Sequence, residues 1–325
     1  QPYLTDSGIG LGYEARYSKL DQGQANIANY LNNTAAFSTN LALPISESDS
    51  VSLGLGAART RILTFNNVPV PAVDASGSTI TDSNGNPVYQ LDANGHYLTT
   101  RYYYSPQPII DYINAIGHYT FHQWTLSAGW SHDTRNKYFN PTHGSIQQFG
   151  VEVAPQYIPL TSSLTLEGTA FLGYGNAYGK HGDLGLPFFQ NYYAGGIADV
   201  RNFRDNTLGA ENTKYLTPGC TGSNYCTQPL GGAFKSTGSV ELIIPTPFVK
   251  DDSATRLSWY VDFGNVYKKF SDFSWSGQDG VRVSTGISLH WQAPVGPIVI
   301  NLGRPIVKKP GDIPETLQFN FGTTF

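Results

Sequence analysis

The sequence predicts an all-β chain, specifically a transmembrane antiparallel β-barrel of outer-membrane type. Three observations lead there. Segments of 8 to 12 residues alternate strictly between apolar and polar side chains, the mark of a strand with one wet and one apolar face. No run of about 18 apolar residues exists, so no transmembrane helix is available, yet a barrel strand needs only ~10 alternating residues. The connections alternate between short and long, as barrels with short periplasmic turns and long outer loops require.

The strands follow in order. Residues 8–19, GIGLGYEARYSK, set Ile9, Leu11, Tyr13, Ala15 and Tyr17 against Glu14, Arg16 and Ser18. Residues 50–60, SVSLGLGAART, alternate Val51, Leu53, Leu55 and Ala57 with small and polar residues. Residues 255–267 put Leu257, Trp259, Val261 and Phe263 opposite Arg256, Ser258, Tyr260 and Asp262. Residues 281–291 set Val281, Val283, Ile287, Leu289 and Trp291 against Arg282, Ser284, Ser288 and His290. The last segment, TLQFNFGTTF over 316–325, sets Leu317, Phe319 and Phe321 against Gln318, Asn320 and Gly322 and ends on Phe325. No helical stretch is expected. Long connections fall at roughly 63–112 and 180–236, rich in Gly, Asn, Asp and Pro. A secreted β-sandwich is the alternative, but it would have to cover edge strands bearing phenylalanines.

Composition agrees. The 325 residues include 5 Trp, 21 Tyr and 17 Phe, and only 14% are charged, against ~25% in an average soluble domain. A net charge of -4 gives a nucleic acid no basic surface, so no such partner is expected. Methionine is absent, which reads as a processed product or an internal fragment, and no signal peptide opens the chain. Cys220 and Cys226 lie close together in PGCTGSNYCTQP. They read as a small disulfide in an oxidising compartment. A zinc pair is the alternative, but no second Cys or His pair lies at ligand spacing, and no metal or cofactor is expected.

The second half carries FFQNYYAGGIADVRNFRDNTLGA (188–210), GSVELIIPTPF (238–248), WYVDFGNVY (259–267), ISLHWQAPVGPIVINLGRP (287–305) and LQFNFGTTF (317–325). The turn SHDTRNKYFNPTHGS (131–145) and the opening PYLTDSGIGLGYEARYS (2–18) belong with them. In that order these stretches resemble the barrel of the BamA family of outer-membrane protein assembly factors, within the wider surface-antigen barrels, over nearly the whole chain. One position departs: the family's Val-Arg-Gly-aromatic signature has Asn202 in place of Gly. Asn tolerates a positive φ better than most residues, so the turn can survive.

The resemblance implies a complete barrel of sixteen strands. Residues 1–325 would then be one partial barrel domain covering roughly the fifth to the last strand, with the first strands and the periplasmic POTRA domains absent. Strand counting predicts a gap. The strand from 144 runs outward, YIPLTSS (157–163) reads as the next periplasmic turn, and about a strand's worth of sequence, roughly ten residues, is missing near Ala154 and Pro155.

Side-chain parity places Glu241 and Asp262 inward on adjacent strands. The resemblance implies that the loop Val200-Arg201-Asn202-Phe203 folds into the lumen, where Arg201 meets these two carboxylates while Val200 and Phe203 exclude water. Without it, Arg201 reads as a solvated loop residue beside a wet pore. Enzyme readings are weak, because His118 and His122 have a helical metal spacing outside a helix and no Gly-x-Ser-x-Gly elbow occurs. The chain is therefore not expected to be an enzyme. The implied function is insertion of nascent β-barrel proteins into the bacterial outer membrane, without ATP. The open seam strand would be Leu317, Phe319, Phe321, Gly322 and Phe325, and the implied partners are the nascent barrels, accessory lipoproteins of an assembly complex and outer-membrane lipid. The alternative is a two-partner-secretion-type polypeptide exporter or a passive pore on a related barrel.

Overall fold

The computed structural model describes residues 8–65, 72, 74, 78–83, 88, 90, 105–135, 144–149, 156–159, 164–177, 184–216, 227–246, 254–293 and 296–322, with the backbone alone over 144–149 and 156–159. The first strands are β1 (Gly10–Asp21), β2 (Tyr30–Pro44) and β3 (Asp49–Thr64). After helix α1 (Gln107–Ile116) come β4 (Thr120–Asp133), β5 (Gly144–Phe149), β6 (Gln156–Pro159) and β7 (Thr165–Tyr174). A loop hairpin, β8 (Lys214–Leu216) with β9 (Thr227–Pro229), precedes β10 (Phe234–Ile244), β11 (Thr255–Tyr267), β12 (Arg282–Ala293), β13 (Gly296–Val307) and β14 (Leu317–Phe321).

All strands but the β8–β9 hairpin join one 12-stranded antiparallel sheet in sequence order, with β1 and β14 at its edges. Twelve strands fit the span from the fifth strand to the last. The sheet is open, and the described residues form no closed barrel.

The two faces follow the alternation. Phe319 and Phe321 are 63% and 51% exposed, whereas Gln318, between Leu317 and Phe319, is 6% exposed. A sandwich would bury those phenylalanines; here they point to the membrane. Trp259, Ile287, Trp291 and Leu317 are also exposed, Val281, Val283 and Leu289 are half-buried, and Asp262, Glu241 and Arg282 are buried on the opposite face. Buried Ser258, Ser284, Ser288 and Asn301 share that inner face. Polar residues face inward because the interior is closed by more polar protein, and apolar residues face outward because lipid is there.

Three expectations are corrected. The sequence was expected to hold no helix, but α1 does form. Ile109 and Ile113 bury one face of it against Ala28, Tyr30, Ile62 and Phe188. Pro108 lies in its first turn, and Gly117 ends it at φ 81. The cause is a short 3.6-residue apolar period inside a loop that reads as turn-rich. Second, the return strand is present but short: β6 has four residues, and only Gly144↔Tyr157 and Ser145↔Gln156 pair it with β5. The expected break itself falls on 150–155, outside the described residues. Third, Gly322 lies beyond the end of β14 with φ 84. It was expected within the seam strand; instead it ends the strand, in a left-handed conformation that glycine adopts without strain. Cys220, Cys226 and Phe325 lie outside the described residues.

Candidate functional site

The 184–213 loop leaves β7 and folds back against the inner wall. Two glycines open its turn at positive φ, Gly195 at 95° and Gly196 at 115°. A Cβ on Gly195 would come within 2.8 Å of the Arg204 carbonyl, and one on Gly196 within 2.0 Å of Asp205 Oδ1. The turn therefore needs glycine for both its space and its dihedrals. Val200 and Phe203 are fully buried in a cluster with Ala194, Leu208 and Val266, which anchors the loop and keeps water from the two residues between them.

Arg201 is the first of the two, and it is only 6% exposed. Its Nε donates to Asp262 Oδ2 at 2.7 Å and its Nη2 to Asp262 Oδ1 at 2.6 Å, a bidentate fork. Its Nη1 lies 2.6 Å from Glu241 Oε1. Its own backbone N–H adds a bond to Asp262 Oδ2 at 2.9 Å. Ser239 accepts from Nη2 at 2.9 Å and donates to Asp262 Oδ1 at 2.6 Å. The guanidinium carbon sits 3.7 Å from the centroid of the Tyr260 ring. Planarity lets one guanidinium fork to a carboxylate and stack on a ring at once. Burial alone would push the Arg201 pKa down. Asp262 first and Glu241 next more than offset this and raise it above its ordinary value, so the arginine is a permanent cation.

The strand register explains why the wall supplies these partners. Ser239 lies directly opposite Asp262, and Glu241 opposite Tyr260, between β10 and β11. Glu241 also lies opposite Glu167 on β7. Like charges directly opposite repel, and Arg256 relieves this by bonding both, at 3.0 Å to Glu241 Oε2 and in a short contact to Glu167. Ser258 donates to the same Glu241 oxygen at 2.9 Å. The five charges form a chain, Glu167–Arg256–Glu241–Arg201–Asp262, running from the sheet wall into the loop.

Asn202 adopts φ 65, the left-handed conformation that the family's glycine would take. Its side chain gives this position a second role. Oδ1 accepts from the Tyr260 hydroxyl at 2.6 Å, and Nδ2 donates to the Glu315 carbonyl at 3.2 Å. The Gly286–Gly303 pair between β12 and β13 makes room: a Cβ on Gly303 would stand 2.5 Å from Asn202 Oδ1, and one on Gly286 2.6 Å from the Tyr260 hydroxyl. The tetrad also grips the last strand. Gln318 accepts from the Asn202 N–H at 3.0 Å and donates to the Phe203 carbonyl at 2.9 Å. Glu315 N–H donates to the Asn202 carbonyl at 2.9 Å.

A second tie lies closer to the outer loops. The buried side chain of Asp312 accepts from Arg282 Nε at 3.0 Å and from Lys214 Nζ at 3.2 Å, joining β8, β12 and the segment before β14. The expected triad of Arg201, Glu241 and Asp262 is thus assembled. Sequence reading missed Glu167, Arg256, Ser239, Asp312 and the two glycines. Inward parity was a signal for Arg256 and Ser239, but nothing in the sequence tells which wall residues the loop will reach. His118 packs against Phe121 with the rings tilted and their centroids 5.2 Å apart, and His122 is exposed on β4.

The whole chain, residues 1–325, matches the Omp85 superfamily domain. The chain belongs to the Omp85 superfamily. A curated relative, outer membrane protein assembly factor BamA of Neisseria meningitidis serogroup B (strain ATCC BAA-335 / MC58), is 26% identical over 369 residues, covering 100% of this chain. The chain spans 40% of that relative's length. The crystal structure of BamA from Haemophilus ducreyi lacking POTRA domains 1-3 superposes with a TM-score of 0.68 at 25% identity, over 98% of this chain and 59% of that one. CdiB from Acinetobacter baumannii gives a TM-score of 0.46 at 12% identity, over 96% of this chain and 46% of its own. This Omp85 chain is an outer-membrane β-barrel protein and corresponds to the C-terminal barrel of BamA.

Proposed function

We propose that this Omp85 chain is the membrane-embedded part of an insertase that folds nascent β-barrel proteins into the outer membrane through a lateral seam, without ATP. One observation carries the reading. Among the described residues the last strand is short, with five residues in β14 against 12 in β13, while its approach is held from inside by the Arg201 loop. A short ladder is a weak seam, and an open strand edge in lipid presents unpaired N–H and C=O groups that a client strand can satisfy. The likeness to BamA supports the same reading. In it the partners are nascent barrel proteins and the accessory lipoproteins of an assembly complex. The Arg201 lock is structural, and the reading includes no bond-making chemistry and no cofactor.

The test reconstitutes the full-length protein into liposomes and follows a denatured β-barrel client by the appearance of its protease-resistant folded form, with no ATP present. The expected result is faster folding than in protein-free liposomes. Equal rates would overturn the insertase reading. Stable open channels in planar bilayers would favour a polypeptide exporter, because a lumen closed by the loop should conduct weakly and erratically.

A further inference from the structure

Each strand of the large sheet turns one face to the membrane. Along β7 and β10–β14 that face carries one charged side chain among the described residues, Arg304. The first strands differ. Lys19 on β1 stands opposite Asn33 on β2, which stands opposite Arg61 on β3. The next row inward in the membrane reads Tyr17, Ala35, Arg59 and His122, and the row after it Ala15, Phe37, Ala57 and Trp124. Residues directly opposite in a sheet share a face, and Trp124 is 80% exposed. Three cations therefore cluster on the lipid face, over a span of two strand spacings, about 10 Å.

Their height is also fixed. The turn at 45–48 between β2 and β3 is short, and the connection from β3 to β4 is long, so Arg59 and Arg61 lie toward the outer end of their strand. Lys19, Arg59 and Arg61 are exposed, and their side chains form no ion pair among the described residues. The nearest acid on this face, Asp21, is one row further out and accepts the Gly23 amide at 3.1 Å. Below the cations the outer surface dips into a groove of about 540 Å³ lined by Ala15, Phe37, Ala57 and Trp124, with Arg59 and His122 at the rim. A cationic rim above an apolar groove, on a surface that meets lipid, matches an amphiphile with an anionic head.

We propose that this face of β1–β4 binds an anionic, phosphate-bearing lipid of the outer leaflet. Arg59 and Arg61 would take its phosphate oxygens by paired N–H bonds and Lys19 as a point charge, with an acyl chain lying in the groove beside Phe37 and Trp124. The inference rests on the outer-membrane location and does not depend on the insertase reading.

The experiment uses the full-length protein in phosphatidylcholine vesicles containing a minor fraction of brominated lipid. Quenching of Trp124 is read as the difference between the protein and its Trp124→Phe variant. Brominated phosphatidylglycerol or brominated lipid A should quench Trp124 more than brominated phosphatidylcholine at equal mole fraction. That preference should fall about fivefold for each arginine neutralised in Arg59→Gln and Arg61→Gln. No described partner is lost in either variant, so both should keep the heat-modifiable gel migration of a folded barrel; Lys19→Gln, at the edge of the row, provides a further check. Equal quenching by the zwitterionic lipid, or a preference unchanged in the double variant, overturns the proposal. Loss of the preference on adding free inorganic phosphate also overturns it, because the site would then bind the anion without its lipid.

Discussion

At the scale of single residues, the lumen of this chain is drier than a pore lining would be. Arg201 is 6% exposed and Asp262 is fully buried, so solvent offers little compensation when a partner is removed. Arg201→Ala leaves two carboxylates facing an empty volume, and breaking a buried pair costs about 3–5 kcal/mol. The cost falls on loop docking, because the strand ladders do not pass through Arg201. The variant should remain a heat-modifiable barrel whose 184–213 loop is cut by added protease, a change visible on one gel. Arg201→Lys should recover only part of the protection, since an ammonium cannot fork to Asp262 and reach Glu241 together. At position 202 two effects oppose each other. Asn202→Gly relaxes the left-handed backbone but strands the buried Tyr260 hydroxyl. Asn202→Ala loses the same bond and keeps the strain, about 1–2 kcal/mol for an L-residue there. Thermal unfolding should rank wild type above Gly and Gly above Ala; a reversal of the last two would show that the φ of 65 is not what selects Asn.

At the scale of elements, parity made most strands legible, because alternation is a local property of sequence. β11 runs over Thr255–Tyr267 as the pattern predicts, and β3 extends only a few residues beyond its predicted span. What stayed hidden depends on neighbours. Helix α1 is ten residues long and is held by Tyr30, Ile62 and Phe188 from distant parts of the chain. Such a short helix has little stability of its own, so its existence is a tertiary fact. The same is true of Glu167, whose partner Arg256 is 89 residues away. The Arg201 triad was legible only because resemblance supplied the loop's destination and parity supplied the wall. The Gly286–Gly303 pair extends the point. Gly303→Ala would place a methyl 2.4 Å from the Thr285 carbonyl and 2.5 Å from Asn202 Oδ1. Overpacking of this kind costs about 1–3 kcal/mol, and here it presses on both the β12–β13 ladder and the loop. The expected outcome is a lower unfolding temperature together with loop proteolysis. Lower stability with an intact, protected loop would mean that Asn202 shifts freely. From their spacing in the sequence, Cys220 and Cys226 are expected to be bonded. Alkylation of the unreduced protein should then label neither, whereas modification of both would point to free thiols.

At the scale of the whole molecule, the loop joins parts that the sheet alone keeps apart. Through Arg201 it holds β10 and β11, and through Asn202 and Phe203 it holds Gln318 of β14 and the segment just before that strand. One element therefore both fills the lumen and braces the strand at the sheet edge. Two separate devices, a plug and a seam, would respond separately to mutation; a single brace should couple them. Gln318→Ala removes the grip on β14 and leaves the Arg201 fork intact, while Arg201→Ala does the reverse. If the loop is one rigid brace, both should raise single-channel conductance in planar bilayers, Arg201→Ala more strongly because it frees the anchored end of the loop. The double variant should then add little beyond Arg201→Ala, since residues acting through one unit are non-additive. Conductances that rise independently and sum in the double variant would mean that plug and seam are held apart, and that the last strand is braced by its ladder to β13 alone.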